Sequence, residues 1–283
     1  MYEFLCTDLK ESDPDFQILG EFSKGMVPVP QEGPYERHLF ISKDVQAIDK
    51  AGKLGMGVLQ HRGDLDKNAI EVLIASYDPP VKETHELFLF DMGNVVVKNI
   101  TMLSKLSRVL GIGKEELLSD YLHYEFPLME GVITEHTYWR HVEHRFGLSV
   151  EGNPFADVFA PQFNEPIVSL IKALREDGKR VLCASNTILS HWEILREMGA
   201  LALFDNVYAS HEIGLSKPSG QFYQAILDAE GFTADQAYFI DDRMDNIHSS
   251  RTLGIASFLY ADLSVGKKDE RLASIFTDHL PRP

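Results

Sequence analysis

The chain has 283 residues, 44% of them hydrophobic and 25% charged, which is the composition of a globular protein and excludes wholesale disorder. Its 43 acidic against 27 basic side chains give a formal net charge of −16, so we expect it to bind neither nucleic acid nor membranes through its overall field. Its two cysteines exclude a disulfide scaffold. Without an apolar stretch of membrane-span length or a signal-peptide pattern, the expected location is the cytoplasm.

The sequence of residues 1–85 predicts a small α+β module and contains no motif that indicates a chemical function. Asp44 is placed to cap a helix that runs through Lys53 and stops at Gly55. Residues 78–86, which begin Asp-Pro-Pro, are typical of a linker. The strand-like segments are HLFIS (38–42), MGVLQ (56–60) and AIEVLIASY (69–77), with the turn HRGDLDKN (61–68) between the last two.

From residue 86 onward, strand-like and helix-like segments alternate. The strand-like segments are unbroken apolar runs, which is typical of strands covered on both faces. We therefore predict an α/β domain over residues 86–283, with a Rossmann-like, doubly wound parallel sheet. Its predicted strands are ELFLF (86–90), RVLCA (180–184), NVYAS (206–210), AYFI (237–240) and ASFLY (256–260).

Helices are predicted between these strands from apolar periodicity and from end signals. Residues 167–174 place their apolar side chains on one helical face, and residues 221–230 form a helix closed by Gly231. Ser190 with Glu193 has the spacing of a capping box that opens a further helix.

Residues 100–163 are more chain than the first crossover needs, because about a dozen residues suffice to connect two parallel strands. Leucine and tyrosine recur through this segment at helical spacing. We therefore predict a helical cap, inserted after the first strand and lying above the strand ends.

Polar residues follow the predicted strands at the points where the strands end. In open parallel sheets, ligands bind beyond the carboxyl ends of the strands, so we expect these residues to meet in one crevice. They are Asp91 in FDMGNVVV, Ser185 and Asn186 in CASNT, Lys217 in GLSKPSG, and Asp241 and Asp242 in FIDDRMDN.

Asp91, Asp241 and Asp242 would repel one another strongly in such a crevice unless a cation lay between them. Carboxylate oxygens are hard ligands that suit Mg²⁺, and Mg²⁺ commonly shares its coordination shell with a substrate phosphate. Lys217 adds a positive charge. The sequence therefore predicts a magnesium site that binds a phosphate ester.

A carboxylate beside a metal can attack phosphorus and form an acyl phosphate. We assign this role to Asp91, while Lys217 neutralises charge on the transferring group. The hydroxyl of Ser185 and the amide of Asn186 can donate hydrogen bonds to phosphate oxygens.

The motifs FDMGNV, CASNT, GLSKP and FIDDRMDN, in this order, resemble those of the haloacid dehalogenase superfamily, and the helical insertion is similar to its cap. The resemblance covers residues 87–265 and is greatest to phosphatases of the bacterial α-D-glucose-1-phosphate type and to the phosphatase domain of soluble epoxide hydrolase. It implies a magnesium-dependent phosphatase with these site residues: Asp91 as nucleophile and metal ligand, Gly93 as a ligand through its carbonyl, Asp242 as a ligand, Ser185, Asn186 and Lys217 on the phosphate, and Asp241, Asp245 and Asn246 in support.

Gly93 departs from the family pattern, which implies an aspartate there as general acid and base. General acid–base help is typically worth about 10²–10⁴-fold in rate, so its loss should disfavour poor leaving groups. A phosphorylated sugar whose anomeric oxygen is the leaving group needs less help. On this reasoning, the expected substrate is a small phosphorylated metabolite such as a sugar phosphate.

Two other functions are compatible with the same residues. Gly93 and the module at residues 1–85 allow a catalytically silent binding or regulatory protein. A haloacid dehalogenase would attack carbon without a metal, and the pair Asp241 and Asp242 disfavours it because so dense a set of carboxylates calls for a cation.

Overall fold

The computed structural model describes residues 4–20, 38–54, 56–60, 79–261 and 268–276. The chain divides into one unit of Met1–Pro80 with Phe258–Ile275 and another of Val81–Ser257 with Phe276–Pro283. The predicted turn at 61–68, the strand at 69–77, Asp78 of the linker and the helix stop at Gly55 lie outside the described residues.

The described residues contain the following strands and helices, labelled in chain order. The strands are β1 (Phe4–Thr7), β2 (His38–Ser42), β3 (Gly57–Gln60), β4 (Leu87–Phe90), β5 (Val97–Lys98), β6 (Gln162–Phe163), β7 (Arg180–Ser185), β8 (Asn206–Ala209), β9 (Ala237–Asp241) and β10 (Ala256–Leu259). The helices are α1 (Pro14–Gly20), α2 (Val45–Lys53), α3 (Leu103–Leu110), α4 (Lys114–Met129), α5 (Glu135–Phe146), α6 (Pro154–Val158), α7 (Glu165–Glu176), α8 (Leu189–Glu197), α9 (Ser210–Ile213), α10 (Gly220–Glu230), α11 (Met244–Thr252) and α12 (Lys268–Ile275).

The first unit contains a three-stranded sheet in the order β1-β2-β3, and both strand pairs are parallel. Asp44 caps α2 as predicted, because its side chain accepts a hydrogen bond from the Gln46 amide at 2.7 Å. Cys6 and Phe40 from the sheet pack with Ala51 of α2 in a small apolar core.

The second unit contains β4, β7, β8 and β9 of a five-stranded sheet whose order is β10-β9-β4-β7-β8. The central strand β4 pairs in parallel with β7 and β9, and every one of its residues is buried. In this register Phe90 lies opposite Cys183 on one side and Ile240 on the other. Asp91, which follows β4, and Asp241, the last residue of β9, are therefore side by side at the edge of the sheet.

Helix α7 shows how this sheet is covered. Its predicted apolar face is buried and packs against β7, and a fully buried aliphatic side chain typically contributes about 1.5–3 kcal/mol. The buried residues are Ile167, Val168, Leu170, Ile171 and Leu174. The predicted α/β class with a central parallel sheet is confirmed.

Helices α3 to α6 form the cap between β5 and β6, which pair antiparallel with Val97 opposite Phe163. Inside the cap, Leu106, Leu117, Tyr138 and Phe155 belong to one buried apolar cluster. In the described ranges no helix combines the length and apolarity that crossing a bilayer requires.

The capping box predicted from Ser190 and Glu193 is wrong. Helix α8 begins at Leu189 with Ile188 as its N-cap residue, so Ser190 lies inside the helix. The Ser190 amide donates a hydrogen bond to Oε1 of Glu135, in α5 of the helical insertion, at 2.8 Å. A free amide in the first turn of a helix needs an acceptor, and a residue distant in sequence supplies it here.

Truncation of Ile171 to alanine tests the packing of α7. We expect Ile171→Ala to lower the free energy of unfolding by about 2–5 kcal/mol, because the side chain is fully buried and a cavity replaces it. Denaturant titration measures the change, with the neighbouring exposed variant Lys172→Ala as control. Equal effects of the two variants would contradict this packing.

Candidate active site

Three carboxylates meet at the carboxyl edge of the sheet. Asp91, Asp241 and Asp242 each offer an oxygen, and these oxygens lie within 4.8 Å of one another. Asp241 is fully buried and Asp91 is only 8% exposed. The register of β4 and β9 brings Asp91 and Asp241 together, and Asp242 is the next residue along the chain.

Lys217 is buried among these carboxylates. Its Nζ donates to Asp91 Oδ1 at 2.6 Å and to Asp241 Oδ2 at 2.7 Å, and it lies 5.3 Å from the centre of the Phe239 ring. Burial alone would lower the pKa of Lys217, but Asp241 and Asp91 outweigh it and raise that pKa above its ordinary value. Lys217 is therefore a fixed positive charge.

Negative charge remains in excess despite this lysine. The pKa of Asp91 is raised to about 7, because burial, Asp241 and Asp242 together outweigh Lys217, which acts to lower it. The pKa of Asp242 is raised as well, first by burial and then by Asp241. A nucleophilic carboxylate must be ionised at neutral pH, so a further cation beside Asp91 would favour its reactive form.

The donor set fits a hard divalent cation such as Mg²⁺. Both oxygens of Asp241 accept hydrogen bonds from Asn246 Nδ2 at 3.0 Å, and its Oδ1 also accepts from the Arg243 amide at 2.8 Å. Asp241 is therefore occupied by protein donors. Asp242 bonds Asn94 Nδ2 through Oδ2 at 2.9 Å, which leaves Asp91 and Asp242 as the carboxylates that can turn an oxygen to a cation.

Asn186 holds the segment that carries Lys217. Its Nδ2 donates to the Lys217 carbonyl at 2.7 Å, and its Oδ1 accepts from the Lys217 amide at 2.8 Å. The Lys217–Pro218 peptide bond that follows is cis. These bonds leave Asn186 one amide hydrogen with which to contact a phosphate. Ser185, also predicted to bind phosphate, ends β7 and is buried.

Asp245 lies apart from the carboxylate cluster, in the first turn of α11. Two nitrogens of Arg243 donate to it, at 3.1 and 2.7 Å. Burial raises the pKa of Asp245, but these hydrogen bonds outweigh it and bring that pKa below its usual range. Asp245 Oδ1 also accepts a hydrogen bond from the Asn246 amide at 3.0 Å, so any support from Asp245 reaches the site through Arg243 and Asn246.

A cavity of about 250 Å³ opens onto these groups. Asp91, Gly93, Asn186, Lys217, Asp242 and Asn246 line it from the sheet side. Sequence reasoning missed the residues that complete its wall: Asn94, Ile100, Glu125, Phe126, Met129 and Arg243. Asn94 and Arg243 lie inside the recognised motifs, which was an available signal. The cap residues Ile100, Glu125, Phe126 and Met129 carried no signal in the sequence. Which face of a cap helix lies toward the site depends on how the cap packs.

A parallel sheet with an inserted helical cap and a carboxylate cluster at the strand ends is the arrangement of an α/β protein that binds its ligand at the carboxyl edge of the sheet. The haloacid dehalogenase-like hydrolase family matches residues 85–254, which is more than half of the chain. The chain belongs to this family, and the superfamily resemblance predicted from its motifs is confirmed. The particular likeness to glucose-1-phosphate phosphatases stays a prediction.

Known relatives match parts of this domain. The sesquiterpene phosphatase astK of Aspergillus oryzae is 29% identical over 34% of this chain and 50% of its own length. The glyceraldehyde 3-phosphate phosphatase of Methanocaldococcus jannaschii is 34% identical over 24% of this chain and 30% of its own. The chain thus matches half or less of the length of these two relatives.

The fold is shared with a solved structure, the HAD family enzyme bt-2542 from Bacteroides thetaiotaomicron in complex with magnesium and inorganic phosphate. That structure aligns with a TM-score of 0.54 at 20% identity and covers 62% of this chain and 93% of its own.

Removal of Lys217 tests the charge balance of the cluster. In the absence of divalent cations, we expect Lys217→Met to lower the free energy of unfolding at pH 7 by about 3–5 kcal/mol, because it leaves buried carboxylates unpaired. Added Mg²⁺ should recover part of this loss.

The matched control is Lys179→Met, which removes an ion pair with the exposed Glu86. Such surface pairs contribute about 0–1 kcal/mol. Both variants are measured by denaturant unfolding with chelator and then with Mg²⁺. A loss at Lys217 no larger than at Lys179, or one that Mg²⁺ leaves unchanged, would contradict this description of the cluster.

Proposed function

We propose that this protein is a magnesium-dependent phosphatase that hydrolyses a small phosphorylated metabolite through an aspartyl phosphate on Asp91. The observation that carries the proposal is the placement of Asp91 on the cavity wall, with Lys217 bonded to one of its oxygens and Asp242 beside it. The phosphatase names of the two relatives described above support it.

Asp91 would attack phosphorus in the first half of the reaction. Its Oδ1 is fixed by Lys217, so Oδ2 is the oxygen left to form the bond. As that bond forms, the bond from phosphorus to the alcohol oxygen breaks and its electron pair goes to the alcohol. Water then attacks the phosphorus, and the electrons of the acyl–phosphate bond return to the Asp91 carboxylate.

The residues that would hold Mg²⁺ are Asp91, Asp242 and the backbone carbonyl of Gly93. When bound, the ion neutralises charge on the phosphoryl group and favours the ionised form of the carboxylates. Asp241 and Asn246 support the site from behind, because their mutual hydrogen bonds orient Asp241 toward Lys217.

Lys217, Ser185 and Asn186 would bind the phosphate of the substrate. The overall charge of −16 repels anions, so the local positive charge of Lys217 and of the ion must attract the substrate. A cavity of about 250 Å³ suits a small ester, and we name sugar phosphates as the first class to assay.

The two alternatives predict different chemistry. A dehalogenase would release halide without a metal, whereas a cluster of three buried or half-buried carboxylates favours a cation-dependent reaction. A silent binding protein would release no phosphate from any ester, and the nucleophile, lysine and carboxylates of a working site argue against it.

A phosphatase assay with and without Mg²⁺ tests the function, using sugar phosphates, nucleotides and phospho-acids. We expect phosphate release that a chelator abolishes, and a loss on the order of 10³-fold or more in kcat for Asp91→Asn, because the nucleophile is removed. The exposed variant Asp228→Asn serves as the matched control and should keep its activity.

Two results would contradict the proposal. One is turnover that is unchanged by chelator or by Asp91→Asn. The other is metal-independent release of halide from 2-haloacids at a rate above that of any phosphate release.

A further inference from the structure

At position 93, where the family pattern implies a general acid, a neighbouring side chain fills the space that the acid would need. A Cβ built on Gly93 would lie 2.7 Å from Ile100 Cδ1, closer than real Cβ atoms approach other heavy atoms. Ile100 therefore occupies the space into which an acidic side chain at position 93 would extend. If the leaving alcohol receives a proton from the protein, the donor must come from another wall of the cavity.

Glu125 is on that other wall. It belongs to the cap helix α4 and lines the same cavity as Asp91, Gly93 and Ile100. Within the described part of the chain, its carboxylate has neither a hydrogen bond nor an ion pair. The basic side chains on the wall are occupied, because Lys217 bonds Asp91 and Asp241 whereas Arg243 pairs with Asp245, and Asp91 and Asp242 already have the roles of nucleophile and metal ligand in the proposed function.

The surroundings of Glu125 favour its protonated form. Burial raises the pKa of Glu125 above its ordinary value; Arg243 acts to lower it, and Asp245 raises it further. A carboxyl group whose pKa moves upward toward neutrality is better matched to proton transfer at physiological pH.

The cap also fixes where Glu125 lies. Leu117 and Leu128, on either side of it in α4, are both buried in the apolar cluster of the cap. Just beyond the end of α4, Glu130 accepts a hydrogen bond from Ser216 Oγ at 2.6 Å. Ser216 directly precedes Lys217, so the helix that carries Glu125 is tied to the segment that carries the buried lysine.

We propose that Glu125 is the general acid and base of this site and takes the role that Gly93 cannot perform. The proposal rests on the phosphatase function proposed above. As the bond between phosphorus and the alcohol oxygen breaks, the Glu125 carboxyl gives its proton to that oxygen and becomes a carboxylate. In the second half, this carboxylate takes a proton from the attacking water, whose oxygen bonds to phosphorus while Asp91 is released.

This assignment changes the substrate preference inferred from Gly93 alone. A protein that carries Glu125 can expel an ordinary alcohol, and the restriction to activated esters then applies to a variant without the carboxyl group. Sugar phosphates with the ester on a primary hydroxyl become substrates of the native chain, together with anomeric ones.

The test is the dependence of kcat/KM on the leaving group in Glu125→Gln. We expect a loss of about 10²–10⁴-fold with alkyl phosphates, which need a proton, and less than about 10-fold with nitrophenyl phosphate, whose anion leaves unaided. A merely structural role would not produce this difference between substrates. Glu116→Gln, exposed on the same helix, is the control and should match the native chain for every ester.

Two outcomes overturn the proposal: an equal loss for all leaving groups in Glu125→Gln, or no loss for any. Failure of the underlying function is distinct, because the native chain itself would then release phosphate from neither substrate class. Circular dichroism and thermal unfolding of Glu125→Gln check that the variant is folded, and nitrophenyl phosphate turnover verifies that its nucleophile works.

Discussion

The buried ammonium group of Lys217 is the interaction on which this site depends. Taking each ion out of water costs several kcal/mol, and only close, well-directed contacts offset that cost. Lys217 makes two such contacts, at 2.6 Å to Asp91 and 2.7 Å to Asp241, and Asn186 fixes its backbone on both sides. Without this cation, the sheet could not bury two aspartates at adjacent strand ends.

One lysine does not balance the three carboxylates of the site, and this deficit of positive charge serves the proposed function. Lys217 bonds two carboxylates, while Asp242 beside them accepts a hydrogen bond from the neutral amide of Asn94, which brings no positive charge. The raised pKa of Asp91 reflects this shortage, since burial and the two other aspartates outweigh the lysine. The site thus combines a permanent cation with room for the charge of a second one, which suits the binding and transfer of a phosphoryl group.

Much of the fold and of the cluster could be predicted from the sequence because both depend on local patterns. Runs of four or more apolar residues covered on both faces have few alternatives to a buried parallel strand, and the parallel register then brings Asp91 and Asp241 together. The capping role of Ser190 could not be judged locally, since the acceptor that replaces it, Glu135, is 55 positions away. Glu125 lacked a signal for the same reason, because the orientation of its helix depends on the packing of the whole cap.

The central claim is that Asp91 becomes covalently phosphorylated, and rapid-quench mass spectrometry of the enzyme during turnover tests it most directly. The account predicts a peptide heavier by one phosphoryl group, with the group on Asp91 and its amount dependent on Mg²⁺. Turnover that proceeds with no phosphorylated peptide, or with the phosphoryl group on a different residue, would contradict it.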